Sequence, residues 1–237
     1  MNVFIFANSQ EASQKVAERM IQAHDQENAR VFGLATGSTP IELYQLLSQS
    51  AVDFSDSIAI NLDEYYGLDQ NHPQSYHTYM QNHLFRHKPF AHSYIPNGHN
   101  LDVDQEIQAY DQILKNHPID LQLLGLGKNG HIGFNEPGSD FTSHTQLVNL
   151  TESTIQANQR FFNHNETVPT QAYSMGIASI LAAKEIILLA FGEHKAQAVQ
   201  AMVEGPVTPD LPASVLQTHP KVSLYLDEAA AHLLKQS

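Results

Sequence analysis

Strand-like apolar runs alternate with segments of helical period along almost the whole chain, and this alternation restricts the fold more than any other feature. Residues 3–7, 30–35, 57–62, 119–126, 184–191 and 222–226 read as strands. Helical segments lie between and after them: 10–24, with Ala12, Val16, Met20 and Ile21 on one face, then 41–47, 107–114, 195–203 and 228–235. The apolar run within 184–191 shows no polar alternation, which marks a strand covered on both faces. Strands joined through helices form crossover units. The chain therefore predicts an α/β fold with a mostly parallel sheet and helices on both faces. With 237 residues, 42% of them hydrophobic, one domain over 1–237 with a sizeable core is expected. Residues 149–170 are polar and lack a sustained period; a mobile lid and a plain surface excursion both fit them.

The formal net charge is −13, from 12 basic and 25 acidic residues, which argues against nucleic acid or an anionic membrane as partner. An anionic ligand would need local positive potential built against that background. The absence of cysteine excludes disulfides, thiolate metal sites and cysteine nucleophiles. The start of the chain lacks the basic residues of a signal peptide, and no apolar run is long enough to span a bilayer, so a cytoplasmic location is expected.

In sheets of this kind ligands bind beyond the carboxyl ends of the strands, so the residues there carry the chemistry. Thr36-Gly37-Ser38-Thr39-Pro40 follows one strand. Its glycine allows a tight turn, its hydroxyls can cap the next helix, and free N–H groups there favour phosphate; an ordinary strand–helix turn fits equally well. Asp63-Glu64 follows another strand, where a catalytic base or a helix cap are the competing readings. The richest stretch is Gly125-Leu126-Gly127-Lys128-Asn129-Gly130-His131-Ile132-Gly133-Phe134-Asn135-Glu136-Pro137. It formally matches a dinucleotide fingerprint but lacks the acidic residue expected about 20 positions on. It presents an amide, an imidazole and a carboxylate together, which suits proton transfer near neutral pH. His83 and His87 stand at i, i+4, as metal ligands on a helix can, but no third ligand accompanies them. Arg160 and Lys195 are candidate anion-binding cations or simple surface charges, Lys195 being the better placed, beyond a strand end.

These blocks resemble the signature segments of the glucosamine-6-phosphate deaminase family. The likeness includes Ala35 through Pro40, Asn61-Leu62-Asp63-Glu64-Tyr65 and Gly127 through Pro137. It extends to Ala157-Asn158-Gln159-Arg160-Phe161-Phe162, Met175-Gly176-Ile177, and Pro212-Ala213-Ser214 with Leu216 and His219. The resemblance implies a Rossmann-like twisted sheet. It also implies a metal-free, cofactor-free isomerisation and deamination of glucosamine 6-phosphate to fructose 6-phosphate and ammonia, in amino-sugar catabolism. It assigns Asp63 as the base between C2 and C1, His131 to ring opening, and Glu136 and Asn129 to tuning the histidine. Thr36, Gly37, Ser38, Thr39, Arg160 and Lys195 would hold the phosphate. Larger, allosteric members have aspartate at the place of Asn129, and basic effector-binding residues where this chain has Gln146 and Val148. The resemblance is thus to the short branch, and implies a monomer, with at most weak self-association, that N-acetylglucosamine 6-phosphate does not activate. A 6-phosphogluconolactonase-like hydrolase and a non-catalytic sugar-phosphate sensor are the alternatives.

Overall fold

The computed structural model describes residues 1–159, 162 and 166–235. The chain opens with β1 (Asn2–Phe6), α1 (Ser9–Glu27), β2 (Val31–Leu34), α2 (Ile41–Gln49), β3 (Ile58–Asn61) and β4 (Asp63–Tyr65). Next come α3 (Tyr76–Met80), β5 (His92–Tyr94), α4 (Val103–Asn116), β6 (Leu121–Gly125), β7 (Gln146–Asn149) and α5 (Glu152–Gln159). The last elements are β8 (Gln171–Ser174), α6 (Ile177–Leu181), β9 (Glu185–Ala190), α7 (Ala196–Glu204), β10 (Val222–Asp227) and α8 (Glu228–Ala231).

Seven strands form one parallel sheet in the order β1-β10-β9-β6-β2-β3-β5. Every residue of β9 is buried, as its unbroken apolar run requires of an inner strand. The edge strand β1 exposes Phe4 and Ile5. From β2 the sheet runs outward through β3 to β5; from β6 it runs the other way through β9 and β10. The order reverses between β2 and β6, which pair only at Phe32–Leu121 and Gly33–Gln122. Gly33 is required there, because the Gln122 carboxamide fills the space a β-carbon would need. The loops leaving β2 and β6 start from this switch point, where sheets of this kind bind ligands.

Helix α1 has its start fixed by Asn8, whose Oδ1 accepts the Glu11 N–H at 2.9 Å, and its end by Asn28 at φ 58°. These caps extend it beyond the expected 10–24. Its buried Val16 and Met20 each contribute about 1.5–3 kcal/mol of apolar burial. The last helix is shorter than the sequence predicts. It ends at Ala231, where the Leu234 N–H turns back to Ala231 O and the Lys235 N–H goes to Glu204 Oε1.

A second, antiparallel sheet, β4-β8-β7, was not foreseen, because its strands are short and half polar. Leu62 joins the two sheets: its N–H bonds to Leu34 O at 3.1 Å and its carbonyl accepts the Met175 N–H at 2.8 Å. Asp63 follows at the junction, opposite Ser174. Residues 149–170 carry α5 and are closed at the neck by Leu150 N to Thr170 O, 2.8 Å. They share a small apolar cluster with Tyr65 and Phe134 through Leu150, Phe162 and Val168.

Candidate active site

Asp63 and Glu64 separate into different roles because adjacent residues of a strand face opposite ways. Glu64 turns to α3, where Oε1 accepts the N–H groups of Tyr65 and Tyr76 at 2.9 Å each and Oε2 accepts that of His77 at 3.0 Å. The cap reading therefore holds for Glu64. Asp63 is 5% exposed, and among the described residues no hydrogen bond reaches its carboxylate. Burial first, and the Glu64 charge second, push its pKa up to about 8. The group is an unusually strong base, left open toward the loop after β6. A methyl group on Gly133, at φ 56°, would stand 3.4 Å from both Asp63 Oδ2 and Ser174 Oγ, so the loop passes directly over the carboxylate.

That loop holds a linear relay. Glu136 Oε2 accepts from Asn129 Nδ2 at 2.6 Å, and Asn129 Oδ1 lies 2.7 Å from His131 Nδ1. Glu136 Oε1 accepts from the hydroxyls of Thr154 at 2.5 Å and Thr151 at 3.2 Å. Burial alone would raise the Glu136 pKa. The nearby His131, with hydrogen bonds from Thr154 and Asn129, overcomes this and holds it at about 2. The ionised carboxylate accepts only, so Asn129 must turn its NH₂ to Glu136 and its carbonyl to the ring. His131 then carries a proton on Nδ1 and presents Nε2 as the acceptor; this tautomer is assigned from the bonding network. His131 Nδ1 is 3.5 Å from Glu136 Oε2, farther than from Asn129, so the carboxylate acts on the ring chiefly through the amide.

Gly127 lies against the His131 ring, and a β-carbon there would overlap Nδ1. The Gly127→Ala variant is expected to displace the imidazole and cut turnover while leaving the rest of the fold intact. Normal turnover, with an unshifted histidine ring signal by NMR, would contradict this packing.

The turn after β2 is a candidate anion site. It has Gly37 at φ 89°, and α2 begins at Ile41 without a side-chain cap. Asn8, Ser75, Asp102 and Asp227 cap α1, α3, α4 and α8, whereas α6 and α7, like α2, start without a side-chain cap. Thr36, Ser38 and Thr39 thus do not cap α2, which leaves its first N–H groups available to an anion. Tyr79 donates to Gly37 O at 2.6 Å and fixes the turn.

Lys195 lies beyond β9, the strand next to β6, on the loop that Asp227 secures by accepting the Gly192 N–H at 2.9 Å. Burial first, then Lys128, lower the Lys195 pKa to about 8. Lys128, in the loop after β6, is a residue the sequence reading passed over. Among the described residues neither lysine forms an ion pair, although six other cations do. Two neighbouring, unpaired lysines in so acidic a chain were the available signal for an anion site. Arg160 lies outside the described residues. His83 and His87 do not form a regular helical pair: His83 sits in a π-helical turn, Gln81–Phe85, with its ring against Tyr79. Among the described residues no cluster of three or more His, Cys, Asp or Glu could hold a metal, and no helix is long and apolar enough to cross a membrane.

A buried carboxylate of raised pKa, a histidine–amide–carboxylate relay and an uncapped helix start make an arrangement suited to proton transfer on an anionic ligand. The chain belongs to the Glucosamine-6-phosphate isomerases/6-phosphogluconolactonase family, which matches residues 7–224. Its relatives include the glucosamine-6-phosphate deaminase of Oenococcus oeni, 59% identical over 230 residues that cover 97% of each chain. That of Lactobacillus delbrueckii subsp. bulgaricus is 54% identical over 235 residues, 99% of this chain and all of the relative. A monomeric glucosamine-6-phosphate deaminase superposes with a TM-score of 0.94 at 41% identity, over 98% of this chain and 100% of the other. The 6-phosphogluconolactonase of Trypanosoma brucei shares the fold, with a TM-score of 0.81 at 20% identity, over 99% of this chain and 98% of the other.

Proposed function

We propose that this chain converts glucosamine 6-phosphate and water to fructose 6-phosphate and ammonia. The observation that carries the reading is the open carboxylate of Asp63 beneath the loop that holds His131. The phosphate sits on the N–H groups and hydroxyls of Thr36, Gly37, Ser38 and Thr39, with Lys195, Lys128 and Arg160 supplying positive charge. Binding the phosphate there positions the distant reacting carbons. His131 Nε2 takes the proton of the C1 hydroxyl and returns a proton to the ring oxygen, which opens the sugar. Asp63 removes the C2 proton and delivers a proton to C1 while the C2 amine gives a proton to O1, leaving an imine at C2 and a hydroxyl at C1. Water adds to that carbon and ammonia leaves. One carboxylate placed over adjacent carbons serves both proton transfers. The reaction takes place within one domain over 1–237, with 149–170 as a lid.

The lactonase reading is the weaker, because relatives at 53–60% identity are named deaminases whereas the lactonases resemble this chain in fold alone. Ammonium release from glucosamine 6-phosphate tests the choice. Hydrolysis of 6-phosphogluconolactone without ammonium would overturn it.

The scheme needs Asp63 ionised and Lys195 charged, and both titrate at about 8. Rising pH activates Asp63 by removing its proton and weakens phosphate binding by discharging Lys195. The profile of kcat/KM is therefore expected to be a narrow bell centred near pH 8. Lys195→Arg should move the alkaline limb upward and leave the acid limb in place. A flat profile through this range would contradict the assignment.

Gln146, at a position where larger members carry a basic effector-binding residue, instead donates to Asn135 Oδ1 at 3.3 Å. Adding N-acetylglucosamine 6-phosphate should leave the substrate saturation curve hyperbolic and unactivated. Marked activation would show an effector site that this reading denies.

A further inference from the structure

We propose that Asn135 is a positioning residue for ring opening: it pins the histidine loop to the end of β8, beside Asp63, and Gln146 of β7 completes its hold. The inference rests on the deaminase reading and goes beyond it, since the proton transfers use His131 and Asp63 but do not say what sets the geometry between them.

The two groups come from different sheets. Asp63 opens β4 of the antiparallel sheet, and His131 lies on the loop after β6 of the parallel one. Bonds within the loop give it its shape: Gly127 N–H to His131 O at 2.9 Å, Gly130 N–H to Gly127 O at 3.1 Å and Asn135 N–H to Ile132 O at 3.1 Å. None of these three ties the loop to the strands that carry the base.

The Asn135 side chain does. It is fully buried, and its Nδ2 donates to Ile132 O at 2.9 Å and to Met175 O at 2.8 Å. Carbonyls only accept, so both amide protons are committed and counting them assigns the orientation of the carboxamide. Oδ1 is then turned to Gln146, whose Nε2 donates to it at 3.3 Å. One side chain therefore joins the histidine loop to β7 and to the residue that follows β8. Met175 is the link to the base: its N–H goes to the carbonyl of Leu62, next to Asp63, at 2.8 Å, while its own carbonyl takes Asn135. Ser174, opposite Asp63 in the β4–β8 pairing, adds a second tie by accepting the Phe134 N–H at 3.2 Å. Rotating the Asn135 amide would break three buried bonds at once, so it holds one geometry. Without it the loop can shift, and His131 with it, while Asp63 stays on its own strand. Ring opening is the step that suffers.

The test compares Asn135→Leu, which keeps the size of the side chain and removes all three bonds, with Gln146→Leu. The latter removes only the bond to Oδ1, from a residue that is partly exposed. Two substrates are used: glucosamine 6-phosphate and its 5-deoxy analogue, which has no O5 to close a pyranose. Asn135→Leu should lower kcat on the ring-forming substrate about thirtyfold and Gln146→Leu about threefold, both with little change in KM. On the 5-deoxy analogue both variants should match the parent. With glucosamine 6-phosphate deuterated at C2, the isotope effect on kcat should shrink in both, because ring opening then limits the rate. A variant that merely lost folded protein would lose rate on both substrates alike and keep the isotope effect. Equal losses on the two substrates, or an isotope effect that does not shrink, would overturn the positioning role. If Asn135→Leu does not fold, Gln146→Leu decides alone: a loss confined to the ring-forming substrate supports the role, and an unaltered kcat overturns it. If the parent released no ammonium, the functional reading would fail. The His131 ring signal by NMR would still decide the positioning: a shift in the variants supports it, and an unshifted signal overturns it.

Discussion

Replacing Asp63 by Asn is expected to lower kcat by roughly 10²- to 10⁴-fold, the contribution a positioned general base makes, while phosphate binding persists. Asparagine matches aspartate in shape and cannot take the C2 proton. The proposed phosphate site, built from the 36–40 turn, Lys128 and Lys195, does not include this side chain. The variant should also be more stable than the parent at neutral pH. Burial pushes the folded pKa of Asp63 from the ordinary aspartate range up to about 8, so the folded state holds a proton that the unfolded state releases. Its ionisation therefore costs stability increasingly as pH rises from the unfolded value toward the folded one. An amide ionises in neither state and so removes that cost. A higher Tm with turnover lost is the pattern of a function-bearing, destabilising group. Near-normal turnover would place the base elsewhere.

His131→Gln should reduce turnover of the closed sugar by about 10²-fold and leave the 5-deoxy, pyranose-free analogue far less affected. Glutamine can still donate to Asn129 but has no second nitrogen that exchanges protons near neutral pH. Because Asn129 links the ring to Glu136, the histidine here is oriented by an amide backed by a carboxylate. An equal loss on both substrates would contradict a role confined to ring opening.

What the sequence made legible follows from how local each signal is. The inner strands were readable because burial on both faces leaves unbroken apolar runs, as in β9. The 36–40 turn and the 125–137 loop were readable because their chemistry is contiguous. The β4-β8-β7 sheet was not, since its short strands gain their order from pairing across the fold. Asp63 and Glu64 could not be told apart in sequence; only the direction of β4 and the position of α3, 12 and 13 residues along, make Glu64 the cap and leave the Asp63 carboxylate without a hydrogen bond among the described residues. Thr154 reaches Glu136 across 18 residues through a segment whose polarity suggested only an excursion or a lid. Lys128 stood inside the most informative loop, yet its meaning depended on the neighbouring strand that brings Lys195 beside it.

The central claim is that one crevice, without added metal, both isomerises the amino sugar and releases its nitrogen. Its most direct test is a coupled assay with glucosamine 6-phosphate, in metal-free buffer, that follows ammonium and fructose 6-phosphate together. Both should appear at the same rate and in equal amounts. No ammonium, with rapid hydrolysis of 6-phosphogluconolactone by the same preparation, would contradict it.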